Sequence, residues 1–338
     1  MATLTSPPAA DGSGPAADPT TGRGASARSR RRPAVPWWGR LQIGVPALVL
    51  AVFFLGPFLL MVRASFYRRV QGGFYEPAFV LESWSRLGTR FYLERALFSL
   101  EICLLAAAVT VVVAFPFTWF LTRMGRRTQV PLLIMLLAAL TLSEVIVAFA
   151  WDLILGRASG VSNIAVWLGL MSEPRAWTPG YWAVLAGLSY IAFPYCVLTL
   201  YPGVSRIDRE LTEAAETLGA SPARSFWTVV VPLSRLNLIA GFLLVFVFTL
   251  GSFIVAQVLG RPEHWTLSVF ISDQATFNSN VPFAAVMAIF LTVVSLAIVV
   301  ATTWLGSRQA GQATEATVGG TTGGEVTVGG TTGGEVTG

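Results

Sequence analysis

Two carboxylates and two aromatic side chains are the residues of this sequence best suited to binding chemistry. Glu144 interrupts an apolar run from Thr128 to Trp151, Asp152 follows that run directly, and Tyr190 lies in a later apolar run. An ionisable group within a membrane span is costly and usually functional. A carboxylate near an aromatic ring suits a cation that gives up its water, through charge pairing and cation–π attraction. These residues predict a path for a cationic solute.

Each of these residues also has a purely structural interpretation. Glu144 could pair with an arginine of a partner subunit, Asp152 could mark the boundary of the span, and Tyr190 could serve packing alone. If the run forms one straight helix, Glu144 lies about 24 Å from its start at 1.5 Å per residue, in the outer half of a core roughly 30 Å thick. Trp151, seven residues further on, then lies close to the same helical face. Both interpretations remain open from the residues alone.

A second patterned segment, residues 205–234, separates the fourth and fifth apolar runs. Its apolar residues recur at the spacing of one helical face: Leu211, Ala214, Ala215 and Leu218. Gly219 stands where a helix ends with positive φ, and Ser221 with Pro222 is typical of a new helix start. We therefore expect a helix, a glycine hinge and a second helix that runs to Pro232.

The small apolar face of the first of these helices needs a surface to cover it. The alternatives are a lipid surface and a protein partner. Between Arg206 and Leu218 the helix carries four acids and two arginines, which is the wrong balance for an anionic membrane. A protein partner is therefore favoured.

The same segment resembles the EAA loop of ABC importer permeases, whose pattern is E-A-A, three residues, G, nine residues, I-x-L-P. Glu213, Ala214 and Ala215 match the E-A-A, Gly219 matches the glycine, and valines replace the isoleucine and leucine before Pro232. In that family the loop is a coupling helix that sits in a cleft of the ATP-hydrolysing subunit. The resemblance implies this role for Glu213, Ala214, Ala215 and Gly219.

The resemblance covers residues 41–308 and is strongest to spermidine/putrescine-type permeases. It implies an all-α, six-helix type I ABC importer permease that carries a small, polyamine-like cation. It also implies a second permease subunit, two ATP-binding cassette subunits that bind ATP and Mg²⁺, and an extracytoplasmic solute-binding protein. One departure is that Val147 and Ala148 stand where family members often have a basic residue before the aromatic-Ala-Trp run. Relatives for aminoethylphosphonate, iron or sugar, and an ion-coupled secondary transporter, remain the alternatives.

Composition argues against catalysis within this chain. The 23 residues counted as Lys or Arg are all arginine, so the lysine that a P-loop requires is missing. His264 is the single histidine, and Cys103 and Cys196 lie apart in apolar runs without metal-ligand spacing. We expect no catalytic residue, no metal and no cofactor in this chain, and ATP hydrolysis by a partner.

The elements that must position these residues are membrane helices. Of 338 residues, 54% are hydrophobic and 12% are charged, which excludes a soluble enzyme, a secreted disulfide scaffold and a disordered regulator. A spanning helix needs about 20 apolar residues. Six runs meet that length: Leu41–Val62, Ile102–Thr122, Thr128–Trp151, Trp177–Tyr201, Leu236–Leu259 and Phe283–Leu305. A shorter run, residues 158–172, predicts an interfacial helix.

Arginine placement and composition complete the predicted organisation. The arginines flank apolar runs, which is the pattern of a membrane protein and not of a nucleic-acid binder, and more of them fall on the side that holds the N-terminus. We predict a multi-pass protein of the bacterial inner membrane with both termini in the cytoplasm. Residues 1–36 and the Gly/Thr-rich residues 309–338 are predicted to be disordered tails around a permease domain, residues 37–308.

Overall fold

The computed structural model describes residues 37–70, 73, 75–157 and 160–321, and the predicted N-terminal tail lies outside them. The chain divides into two units, Met1–Leu55 and Gly56–Gly338, and the side-chain contacts below all lie in the second. Within the described residues the fold is helical, with α-helices α1 (Trp37–Ala64), α2 (Glu82–Leu87), α3 (Arg90–Arg123), α4 (Arg126–Leu140), α5 (Glu144–Leu155), α6 (Val161–Trp167), α7 (Tyr181–Val204), α8 (Arg209–Thr217), α9 (Pro222–Ser225), α10 (Val231–Leu233), α11 (Arg235–Gly251), α12 (Ile254–Leu259), α13 (Leu267–Thr276) and α14 (Val281–Thr321).

Four described helices are long and apolar enough to cross a membrane: α1, α3, α7 and α14. Two further spans are bent pairs. Helices α4 and α5 meet at 100°, and the segment from Pro222 to Leu233 meets α11 at 75°, so up to six spans result if each pair counts as one. This agrees with the predicted six-helix membrane fold.

The third apolar run, however, is not the single helix that the sequence predicts. Helix α4 ends at Leu140, and α5 begins at Glu144. The Thr141 hydroxyl donates to the Ala138 carbonyl at 2.7 Å, and Ser143 is the extended N-cap of α5. Hydroxyl side chains compete with the helix for backbone hydrogen bonds, which accounts locally for the break. The depth of 24 Å predicted for Glu144 along a straight helix is therefore wrong.

Two other boundaries differ from the sequence-based ones. The fifth apolar run divides into α11 and α12 at Ser252 and Phe253, and α14 continues to Thr321, past the predicted end of the permease domain at residue 308. Residues 309–317 contain no proline or glycine except Gly311, so nothing in that stretch stops a helix. The rest of the predicted C-terminal tail lies outside the described residues.

Helices α3, α7 and α11 form the centre of the second unit, and small residues let them approach closely. A Cβ on Gly241 of α11 would stand 3.1 Å from Leu200 Cδ2 of α7, and one on Gly187 of α7 would stand 2.6 Å from Leu259 Cδ1 of the neighbouring α12. In the part of α1 that belongs to the second unit, residues 56–64, no residue is fully buried in this chain. Such a surface is suited to contact with lipid or another subunit.

The predicted helix–glycine–helix segment is present between α7 and α11. Helix α8 spans Arg209–Thr217, Gly219 has φ +91°, and the Ser221 hydroxyl accepts a hydrogen bond from the Arg224 amide at 3.3 Å. The second helix is not regular to Pro232, because residues Phe226–Val230 form a π-helix between α9 and α10. Short π-helical turns inside α-helices are frequent at functional sites.

Candidate translocation and coupling sites

The break between α4 and α5 meets the break between α11 and α12, and a carboxylate joins them. Glu144 is the first residue of α5, and Ser252 is the residue that follows α11. The Ser252 hydroxyl donates to Glu144 Oε1 although the two residues are 108 positions apart. Ser252 is only 5% exposed, whereas Glu144 is half-buried. The pair thus presents one carboxylate oxygen bound by protein and leaves the other oxygen without a protein partner among the described residues.

This pairing differs from the main hydrogen bond of several threonine hydroxyls in the core. Thr110, Thr118 and Thr249 donate to the carbonyl four residues earlier in their own helices, at 2.7 to 2.9 Å. Such a bond satisfies the hydroxyl within its own helix, although Thr110 also reaches the Ser189 carbonyl of α7 at 3.4 Å. The Ser252 hydroxyl instead crosses from the α11 end to α5. It therefore fixes the position of an ionisable side chain between two broken spans.

The ends of two helices also shape the electrostatics at Glu144. The first turn of a helix carries a partial positive charge and the last turn a partial negative charge. Glu144 lies in the first turn of α5, and Ser252 caps the last turn of α11. Carbonyl groups at that end of α11 and the carboxylate together make a place where a cation is favoured.

The structure places the other predicted path residues near the opposite end of α5. Trp151 and Tyr190 of α7 form an edge-to-face pair with ring centroids 5.5 Å apart and planes at 69°. Tyr190 is 47% exposed, so the pair is open on one side. Trp151 lies about 10 Å along α5 from Glu144. Asp152 accepts a 3.5 Å hydrogen bond from Thr178 Oγ1 through its main-chain carbonyl.

Helix α8 leaves most of its predicted apolar face uncovered in this chain. Leu218 is 90% exposed, Leu211 and Ala214 are exposed, and Ala215 is half-buried. Glu213 is also exposed, and a Cβ on Gly219 would meet no atom within 4 Å. The four residues assigned to coupling thus lie together on an accessible helix and its hinge.

Sequence reasoning missed Ser252. The available signal was a glycine and a hydroxyl, Gly251 and Ser252, in the middle of an apolar run. His264 has the packing role that a lone histidine usually has: its ring lies 6.1 Å from those of Phe98 and Tyr181. No group of His, Cys, Asp and Glu in the described part of the chain could hold a metal ion.

Comparison with known proteins identifies the family. The profile of the binding-protein-dependent transport system inner membrane component matches residues 104–310, which is more than half of the chain. The chain belongs to this family. It is therefore a multi-pass inner-membrane permease component of a binding-protein-dependent ABC importer, a transport subunit and not an enzyme.

Characterised relatives and solved structures agree with this assignment. The chain is 31% identical over 270 residues to the spermidine/putrescine transport system permease protein PotB of Escherichia coli, covering 79% of this chain and 96% of the relative. It is 32% identical to the PotB of Salmonella typhimurium, over 73% of this chain and 85% of the relative. A bacterial alginate ABC transporter, solved with its substrate-loaded periplasmic protein, matches with a TM-score of 0.63 at 16% identity, over 81% of this chain and 98% of that chain. That likeness supports the fold.

Proposed function

We propose that this chain forms the path for a small, polyamine-like cation and couples its import to ATP hydrolysis by partner subunits. The observation that carries the proposal is the Ser252–Glu144 hydrogen bond between two broken spans. Discontinuous helices whose ends face a site are a recurrent way of binding ions and charged solutes within a membrane. The names of the PotB relatives support a polyamine as the solute.

In this proposal the cation meets the Trp151–Tyr190 pair at one end of α5 and Glu144 at the other. An ammonium group is attracted to the open faces of Trp151 and Tyr190 and to the free oxygen of Glu144. A carboxylate held by one hydrogen bond still accepts others, because an ionised carboxyl has about four acceptor positions. Asp152 lies next to Trp151 at the end of the path and adds negative charge there.

The first test removes the charge of Glu144 and keeps its shape. We expect Glu144→Gln to raise the KM for spermidine uptake about tenfold or more, since a charge-assisted hydrogen bond contributes about 1.5–3 kcal/mol. Uptake is measured in proteoliposomes that contain the whole transporter. Glu173→Gln, at an exposed loop residue, is the matched control and should transport as wild type. Wild-type KM in Glu144→Gln would contradict the proposal.

The coupling half of the proposal rests on the accessible helix α8. We propose that Glu213, Ala214, Ala215 and Gly219 lie on the cytoplasmic side and seat in an ATP-binding cassette subunit, which binds the ATP and Mg²⁺. The transporter would contain two such subunits, a second permease subunit and an extracytoplasmic solute-binding protein. Small alanines permit close approach, and the Gly219 hinge sets the direction of the following chain.

The second test perturbs this helix without touching the spans. We expect Glu213→Arg or Gly219→Pro to abolish ATP-driven uptake while the protein still inserts into the membrane. Glu210→Gln, a charge change on the same helix, is the control. Normal uptake by both variants would refute the coupling role, whatever the result with Glu144→Gln.

Simple observations distinguish polyamine import driven by ATP from the import of other solutes and from another energy source. The chain is also 30% identical, over 52% of its length and 77% of the relative, to the molybdenum transport system permease protein ModB of Azotobacter vinelandii, so the family carries other cargo. Aminoethylphosphonate, iron or sugar would replace polyamine if the partner binding protein bound one of them and not spermidine. Solute transport by this chain alone, without an ATPase, would indicate an ion-coupled secondary transporter.

A further inference from the structure

Arg123, the last residue of α3, lies at the junction of three elements that the proposed coupling mechanism needs. Its guanidinium carbon is 3.9 Å from the centre of the Trp119 ring, so the group lies over the indole. Its Nη2 atom is buried and has no hydrogen-bond partner among the described residues. A cation stacked in this way is held in position but retains unused donors.

Helix α8 presents charge to this guanidinium. Arg209 repels Arg123, and the carboxylates of Glu213 and Glu216 each attract it less strongly than Arg209 repels it. Arg209 Nη2 also donates to the Arg123 carbonyl at 3.4 Å, which links the start of α8 to the end of α3. No carboxylate of the described residues lies within ion-pair distance of Arg123 in this arrangement. The attraction therefore acts over more than ion-pair distance, so an ion pair would form only if α8 or the guanidinium moved.

The ring beneath Arg123 leads to the π-helix. The Trp119 and Phe226 ring centroids are 6.2 Å apart, and the Phe115 and Phe226 ring centroids are 5.3 Å apart. Phe226 is the first residue of the π-helical turn that leads through α10 to α11. Arg123 thus contacts a ring cluster shared by α3 and the segment after α8.

We propose that Arg123 is a positioning residue that ties the acidic face of α8 to the end of α3. When α8 moves, Glu213 or Glu216 takes up the free Nη2 donor, and the stacked Trp119 passes the displacement to α3 and Phe226. This inference rests on the proposed coupling function of α8. It assigns to Arg123 the transmission step between that helix and the spans.

The test measures the number of solute molecules imported per ATP hydrolysed by the reconstituted whole transporter. We expect Arg123→Gln to lower this ratio about fivefold, at the low end of typical coupling between sites, with subunit assembly unchanged. Arg123→Lys should recover part of the ratio, because it restores the charge without the flat stack. Arg126→Gln, at an exposed arginine three residues away, should match wild type. A wild-type ratio in Arg123→Gln, or an equal loss in Arg126→Gln, would overturn the proposal.

A second perturbation leaves the packing of Arg123 intact. Glu216→Arg, at an exposed position of α8, replaces attraction by repulsion and should lower the ratio as Arg123→Gln does. The effects of Glu216→Arg and Arg123→Gln on the ratio should be less than additive in the double variant, since both changes remove the same interaction between Arg123 and α8. Additive losses would refute the pairing. If Glu213→Arg and Gly219→Pro abolish uptake while these variants keep a normal ratio, only this inference fails and the coupling role of α8 stands.

Discussion

Ser252→Ala tests whether the position of Glu144, and not only its charge, matters for solute binding. The hydroxyl of Ser252 is a neutral donor to a carboxylate, and such bonds contribute about 1.5–3 kcal/mol. Glu144 is half-buried and regains part of this from water, so the lower limit applies. Because 1.4 kcal/mol corresponds to a factor of ten, we expect the KM for spermidine to rise about tenfold.

Packing contributes little to this expectation. The substitution removes a single oxygen from a residue that is 5% exposed, and it introduces no larger group. The maximal rate should change by less than about twofold, because a loss of ground-state binding raises KM and leaves turnover unchanged. Initial uptake rates in proteoliposomes over a range of spermidine concentrations separate the two parameters.

The control for this prediction is a serine with the same burial but another acceptor. Ser268 is 8% exposed, and its hydroxyl donates to the Leu250 carbonyl two residues before Ser252. Ser268→Ala should leave the KM near the wild-type value, and Ser252→Thr should retain it because the donor remains. If Ser252→Ala binds spermidine as wild type does, or if Ser268→Ala loses as much, the reasoning about Glu144 is wrong.

Two further predictions concern glycines. Gly219→Asn should support more uptake than Gly219→Val, because φ +91° is a left-handed conformation that costs ordinary residues about 1–2 kcal/mol and asparagine less. Equal uptake by the two variants would show that the hinge conformation is not required. Gly203→Ala should lower the thermal unfolding temperature of the purified transporter, because the alanine Cβ would stand 2.1 Å from Asn237 Nδ2. Adding Asn237→Ala should restore the unfolding temperature. An unchanged melting curve in the single variant would contradict this close approach.

The secondary structure of the coupling segment could be predicted because its sequence signals are local. Ser221, Pro222 and Gly219 each act within a few residues, so cap, helix start and positive φ could be predicted before the fold was known. Hydrophobicity likewise located the apolar runs, which form four long helices and two bent pairs, since length in an apolar core is a local property. Hydrophobicity does not predict where a span bends.

The Glu144–Ser252 site depends on contacts between residues far apart in the sequence, which no local sequence pattern predicts. The break at 141–143 contains neither proline nor glycine, and although the hydroxyls of Thr141 and Ser143 favour it, Thr110 and Thr118 lie inside a continuous helix, so hydroxyl residues alone do not predict a break. The partner of Glu144 lies 108 residues away, and its identity follows only from the meeting of two breaks. The π-helix at Phe226 was likewise hidden, because its sequence reads as an ordinary continuation after Pro222.

The length of α3 has a mechanical consequence for the whole transporter. At its far end from Arg123, the Arg95 side chain donates to the Glu263 carbonyl, and Ser99 Oγ accepts from the Leu267 amide. Arg95 and Arg123 are about 42 Å apart along one unbroken helix, so a 5° tilt at one end moves the other by about 4 Å. In the proposed coupling, α3 would act as a lever arm: a tilt about its end near α8 would give the largest displacement where the loop from Glu263 to Leu267 contacts it.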